Sequence, residues 1–196
     1  METTQQIPPR RFGLKHIGFV ATLAVFLGIG YWWYTSTEHG FIEDFVYERD
    51  AQHIYDSFDR DRWLLLDSAD YSVEYMLKNK APDKNPLYTG TMNIKVGYEY
   101  GKFVGFTTYY KETPTSYHLL FLAIHPDFRG KGYGEKFLRY VANDVYKRGV
   151  KRLWLLTRIT NYKAQHLYTR VGFTEFKREP GFVFYEMMLP MPPAKN

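Results

Sequence analysis

Gly130, Gly132 and Gly134 alternate through the stretch HPDFRGKGYGEKF, between an apolar run ending at Ile124 and an amphipathic run from Phe137 onward. That pattern marks a strand-to-helix junction. A glycine costs about 1 kcal/mol against alanine inside a helix, so three beside a helix start need a compensating use. The first turn of a helix leaves backbone N–H groups without intrahelical partners, and the positive end of the helix dipole lies there. Glycine lets a ligand come close to such amides, and Arg129 and Lys131 add positive charge. The junction reads as an anion cradle suited to phosphate, against the plainer reading of a turn that needs glycine.

The rest of the chain arranges elements around that junction. FIEDFVYE (41–48) reads as a strand, Asp50–Leu66 as a helix with Ile54, Phe58 and Leu65 on its apolar positions, and Ser72–Lys78 as a second helix. The segment APDKNP (81–86) cannot continue helical geometry. Strand candidates follow at 91–100, 102–111 and 116–125, separated by Gly101 and by ETPT, the spacing of an antiparallel meander. A helix then runs to about Arg148 with Phe137, Leu138, Val141, Val145 and Tyr146 in its apolar stripe. A strand at 152–159, a helix at 161–171 stopped by Gly172, and two strands around Pro180 and Gly181 complete the order. Strands first, then helix, strand and helix, give α+β layers rather than a Rossmann alternation. The glycines fit neither G-x-G-x-x-G nor G-x-x-x-x-G-K-[ST].

The N-terminus departs from this pattern. Residues 1–15 read as a disordered polar lead. Residues 16–35 contain the uncharged run IGFVATLAVFLGIGYWWY, Ile17–Tyr34, and about 20 helical residues span a bilayer core. Tyr31, Trp32, Trp33 and Tyr34 stand where an interfacial aromatic belt belongs, and they suit a signal-peptidase site poorly. The segment reads as a single membrane anchor. Arg10, Arg11 and Lys15 precede it while Glu38, Glu43, Asp44, Glu48 and Asp50 follow, which directs the main domain across the membrane from the cytosol. Residues 40–190 form the soluble domain, and the proline-rich 191–196 read as a frayed tail.

Composition excludes several chemistries. The 196 residues contain no cysteine, so disulfides, thiolate nucleophiles and cysteine zinc sites are ruled out. The six histidines are scattered and none pairs at ligand spacing, so no metal is expected. A net charge of +5 suits an anionic ligand or a membrane surface. It does not demand nucleic acid, and no such partner is expected.

LAIHPDFRGKGYGEKFL resembles the acetyl-CoA motif of the Gcn5-related N-acetyltransferase (GNAT) family, [QR]-x-x-G-x-[GA]. It reads here as Arg129-Gly130-Lys131-Gly132-Tyr133-Gly134. NYKAQHLYTRVGF supplies a second family element through Asn161, Ala164, Leu167, Tyr168 and Gly172-Phe173, and the likeness covers roughly 41–190. It implies a mixed, mostly antiparallel central sheet flanked by helices, behind the single N-terminal transmembrane helix. It also implies acetyl-CoA as co-substrate, with the diphosphate on the backbone amides from Gly130 through Lys131, Gly132, Tyr133 and Gly134 to Glu135. The pantetheine arm would pair with the main chain of Leu122, Ala123 and Ile124, and Asn161 would hydrogen-bond it. Tyr168 would protonate the departing thiolate, a role within reach of a phenol of pKa near 10; the alternative is a core aromatic.

The attacking amine must first lose a proton. Some members carry a glutamate in the strand at 152–159, where this chain has Leu156. Histone-acetylating members carry one on the preceding strand, at the position of His118. Strict alternation puts His118, Leu120, Leu122 and Ile124 on one face, which would aim His118 into the cleft as the base. A partly exposed histidine with no such role is the other reading, and Glu99 is a weaker candidate base. The resemblance thus implies a membrane-anchored N-acetyltransferase acting on an amine-bearing small molecule or protein. The rival is a catalytically silent CoA-binding module tethered to a membrane. The acceptor, the membrane orientation and a homodimeric assembly stay open.

Overall fold

The computed structural model describes residues 41–65, 72–82 and 91–190. The lead, the apolar run expected to be an anchor, and the tail lie outside them. Among the described residues no helix is long and apolar enough to cross a membrane.

The chain order is β1 (Ile42–Asp44), α1 (Tyr47–Leu65), α2 (Val73–Asn79), β2 (Met92–Glu99), β3 (Lys102–Thr113) and β4 (Ser116–Ile124). Then come α3 (Tyr133–Lys147), β5 (Arg152–Arg158), α4 (Tyr162–Val171), β6 (Thr174–Glu179) and β7 (Phe182–Met188). The sheet runs β1-β2-β3-β4-β5-β7-β6. All neighbours are antiparallel except β4 and β5, which are parallel. The expected first strand is shorter than its sequence suggested: after Asp44 the chain turns into α1, whose first turn is fixed by Asp50 accepting from Val46 N at 2.7 Å.

Alternating residues serve two cores, one on each face of the sheet. Ile54 and Phe58 of α1 and Met76 and Leu77 of α2 pack with Ile94, Phe106, Tyr110 and Phe121. Leu138, Val141 and Val145 of α3 and Tyr168 of α4 pack with Tyr109, Tyr117, Leu119, Leu153 and Leu155. Successive residues Tyr109 and Tyr110 fall into opposite clusters, as the period-2 pleat requires. The alternation shifts within β4. Thr108 pairs with Phe121 and Tyr109 with Leu119, which leaves Leu120 as the extra residue of a β-bulge.

Asp50 is the fully buried carboxylate of the first core. Burial alone would raise its pKa, but bonds from Arg49, Val46 N and the Tyr98 hydroxyl outweigh that and hold it below the ordinary carboxylate value. The folded-state pKa is depressed. Its stabilisation is therefore complete above the unfolded value and is lost as pH falls through the folded one. Asp50→Ala leaves the Val46 amide and the Tyr98 hydroxyl without this acceptor. We expect a loss of about 3 kcal/mol at neutral pH, shrinking as the solution is acidified, measured by urea unfolding across pH.

Candidate active site

The parallel register between β4 and β5 covers only Ser116–His118 against Arg152–Trp154. Beyond it β4 follows β3 and β5 follows β7, so the two strands part. Their parting opens a cavity of about 590 Å³, with Leu122, Ala123 and Ile124 on one wall and Leu156, Thr157 and Arg158 on the other. Strand edges that part in this way offer main-chain groups to an extended ligand.

At the end of β4 a short 3-10 turn, Pro126–Phe128, leads into the glycine loop. Gly130 and Gly132 have φ of +75° and +85°, the left-handed region that L side chains avoid. The first backbone bond of α3 runs from Lys136 N to Gly132 O at 3.1 Å. Among the described residues, the amides of Gly130 to Glu135 donate to no backbone carbonyl. A Cβ built at Gly130 or Gly132 meets nothing within 4 Å, so the space over these donors is open. One built at Gly134 would strike Leu167 Cδ2 at 2.9 Å, so that glycine lets α4 close against α3. An open loop with bare donors at a helix start fits a diphosphate.

The two cations of the motif behave differently from the sequence expectation. Arg129 lines the cavity but braces it: Nε donates to Ile124 O at 2.8 Å and Nη2 pairs with Asp61 at 2.5 Å. The ammonium of Lys131 lies 5.5 Å over the Phe128 ring, and Lys131 is not on the cavity wall. The remaining loop residues, Gly130, Gly132, Tyr133, Gly134 and Glu135, do line it.

Sequence reasoning missed the tie across the cavity mouth. α1 breaks its helical geometry at Asp61 (φ −109°, ψ 21°), and its last turn crosses the opening. On the β4 side Asp61 pairs with Arg129. On the β5 side Arg158 donates from Nε to Trp63 O at 2.6 Å, with its guanidinium 4.2 Å over the Trp63 ring. Asp61, Leu64 and Leu65 thereby join the cavity wall. No local signal announces contacts between residues so distant in the chain.

α4 is set by its ends. Asn161 caps it, accepting from Ala164 N at 3.3 Å, and Gly172 at φ +110° stops it. Asn161 and Tyr168 both line the cavity. Tyr168 is only 8% exposed, with its ring against Phe173 and Tyr185. Burial pushes its hydroxyl up to about 12. Such a phenol keeps its proton throughout the physiological range.

His118 does not reach the cavity. The bulge at Leu120 reverses the alternation, so Leu122 packs with the α3-side core while His118 pairs across the other face with Tyr110. The ring stacks on Trp154 with centroids 3.7 Å apart, and Nδ1 meets the Tyr110 hydroxyl at 3.1 Å. Burial pushes its pKa down to about 3, leaving a poor proton acceptor. Glu99, the weaker candidate, is bonded by the Tyr133 hydroxyl and is likewise off the cavity wall. Among the described residues no group of three or more metal-binding side chains comes together.

A sheet that is antiparallel but for one parted parallel pair, with an anion loop at the end of the first of those strands, defines the acetyltransferase class of α+β folds. The Acetyltransferase (GNAT) family profile matches residues 43–173, more than half of the chain, and the chain belongs to that family. Over 54 residues it is 43% identical to the [ribosomal protein bS18]-alanine N-acetyltransferase of Haemophilus ducreyi, a match covering 28% of this chain and 37% of that one. The matched part of the chain thus spans little more than a third of that relative's length. An uncharacterized N-acetyltransferase of Bacillus subtilis, YhfO, is 33% identical over 102 residues, half of this chain and 66% of that one. The crystal structure of the ribosomal-protein-S18-alanine N-acetyltransferase from Escherichia coli shares the fold, with a TM-score of 0.58 at 21% identity over 79% of this chain and 97% of that one. So does yncA of Salmonella typhimurium, described as a putative acetyltransferase with its cofactor acetyl-CoA, with a TM-score of 0.57 at 16% identity over 79% of this chain and 96% of that one.

The crossing turn of α1 should loosen when either arginine tie is cut. In Asp61→Ala and in Arg158→Ala, amide exchange of residues 62–65 should rise while global stability moves by less than about 1 kcal/mol. Unchanged exchange in both variants would show that the turn is held by other contacts.

Proposed function

We propose that this chain is an N-acetyltransferase that moves an acetyl group from acetyl-CoA to a primary amine, held at a membrane by residues 16–35. The observation that carries the catalytic reading is the row of unpartnered amides from Gly130 to Glu135, opening onto the same cavity as Tyr168. Acetyl-CoA, when bound, supplies an acetyl thioester. The amides would hold its diphosphate, the edge of Leu122–Ile124 its arm, and Asn161 would orient that arm. Tyr168 would hold a proton at its hydroxyl for the departing sulfur. With His118 buried away from the cavity and depressed in pKa, the proton of the attacking amine leaves by way of water. Relatives named as alanine N-acetyltransferases make a protein N-terminal amine the first acceptor to try. The apolar wall of Leu64, Leu65 and Phe182 suits an uncharged neighbour to that amine. The uncharged run Ile17–Tyr34 and its aromatic belt support the membrane reading.

Incubating the full chain with acetyl-CoA and a panel of amines, N-terminal peptides included, should release free thiol with acceptor-dependent turnover. Thermal stabilisation by CoA with no turnover across the panel would instead favour the silent binding module. Tyr168→Phe should cut kcat by about 10²-fold with coenzyme affinity unchanged; an undiminished rate removes its acid role. With a hydroxyl pKa near 12, the wild-type rate should show no loss through Tyr168 up to about pH 10. A C-terminus protected from protease in sealed vesicles would put the domain across the membrane from the cytosol. Recovery of the chain in the soluble fraction would overturn the anchor.

A further inference from the structure

β5 sends Leu153, Leu155 and Thr157 to one face of the sheet, and all three are buried. Leu153 and Leu155 serve the α3-side core. Thr157 is the polar member of that row, and it lines the cavity. Valine has the same branched shape and would fill the position with no polar atom to bury. A buried hydroxyl costs free energy unless it is hydrogen-bonded, and the partner here is the hydroxyl of Tyr168 across the cavity wall.

Other contacts hold the rest of Tyr168. Its carbonyl accepts from Gly172 N at 3.2 Å and Phe173 N at 3.0 Å, which ties its backbone to the stop of α4. Its ring packs against Phe173 and Tyr185. None of these contacts governs rotation about the C–O bond, and a hydroxyl hydrogen turns to suit its partners. Burial and the neighbouring Tyr185 both keep the proton on Tyr168, whereas the Thr157 bond opposes them by favouring the ionised oxygen.

We propose that Thr157 is a positioning residue that aims the proton of Tyr168 at the departing sulfur. The inference rests on the acid role given to Tyr168 above and deepens it. With Thr157 donating, the Tyr168 oxygen accepts on one side and its own hydrogen turns into the cavity. As the acceptor nitrogen bonds the acetyl carbon, the carbon–sulfur bond breaks, its electron pair stays on sulfur and the Tyr168 proton joins it. The O–H pair stays on the Tyr168 oxygen, where the Thr157 bond strengthens as charge builds. Water then returns a proton to the phenolate.

The test compares the full chain with its Thr157→Val, Thr157→Ser, Tyr168→Phe and Thr157→Val/Tyr168→Phe variants. Single turnovers are followed with acetyl-CoA and the best amine of the panel above. Thr157→Val should slow transfer about tenfold, the scale of a hydrogen bond to a charged group, with CoA affinity by calorimetry unchanged. Thr157→Ser should restore most of the rate, and in the Tyr168→Phe background Thr157→Val should cost nothing further. In the ligand-free protein the ring-carbon NMR signal of Tyr168, identified as the one missing from Tyr168→Phe, should move in Thr157→Val and stay in Thr157→Ser. An undiminished rate in Thr157→Val, or an equal loss with and without the Tyr168 hydroxyl, would overturn the positioning role. A full rate in Tyr168→Phe, or no turnover by the wild type with any amine, would sink the acid role and this one with it. Valine keeps the shape of the side chain, and matched melting temperatures would confirm that the variants are folded.

Discussion

The parting of β4 from β5 is the constraint on which the rest of the structure depends. Two parallel strands share a register for three residues and then go to different partners, β3 on one side and β7 on the other. A continuous sheet would satisfy those edges internally and leave no room between them. Because the strands diverge, the sheet acquires an interior opening rather than a surface groove. The glycine loop emerges at the end of one arm and Asn161 follows the end of the other, so α3 and α4 are delivered to the same opening by connectivity alone. The bulge at Leu120 belongs to the same device, since it shifts the faces of β4 just where the gap begins.

The order and type of elements were legible because local signals agreed. Apolar stripes at helical spacing and Gly172 as a stop marked the helices to within a few residues. The meander was written in the two short links around β3. The amide cradle was legible for a related reason: its chemistry is that of a helix start plus glycine, both properties of contiguous residues. The presence of Asn161 and Tyr168 on the cavity wall followed from the resemblance, not from spacing.

What the sequence did not disclose depends on register and distance. The face assigned to His118 rested on unbroken alternation, and one unpaired residue reversed it. No residue type in SYHLLFLAI marks the bulge, since a leucine there serves a regular strand equally well. Arg129 was expected to face an anion, but its partner is Asp61, nearly 70 positions earlier. The break in α1 that presents Asp61 occurs within a run of polar residues, DRDR, that reads as an ordinary solvated helix end. Such ties exist only once the sheet has brought strand ends and helix end together.

The two ties of the crossing turn differ in kind. The Asp61–Arg129 tie is an ion pair with a half-exposed guanidinium, whereas the tie to Trp63 combines a carbonyl acceptor with a stacked ring. Dissolved ions screen the first much more than the second. Rising ionic strength therefore slackens one edge of the crossing and spares the other. Of the two edges of the crossing, the one at β4 is the one that responds to salt.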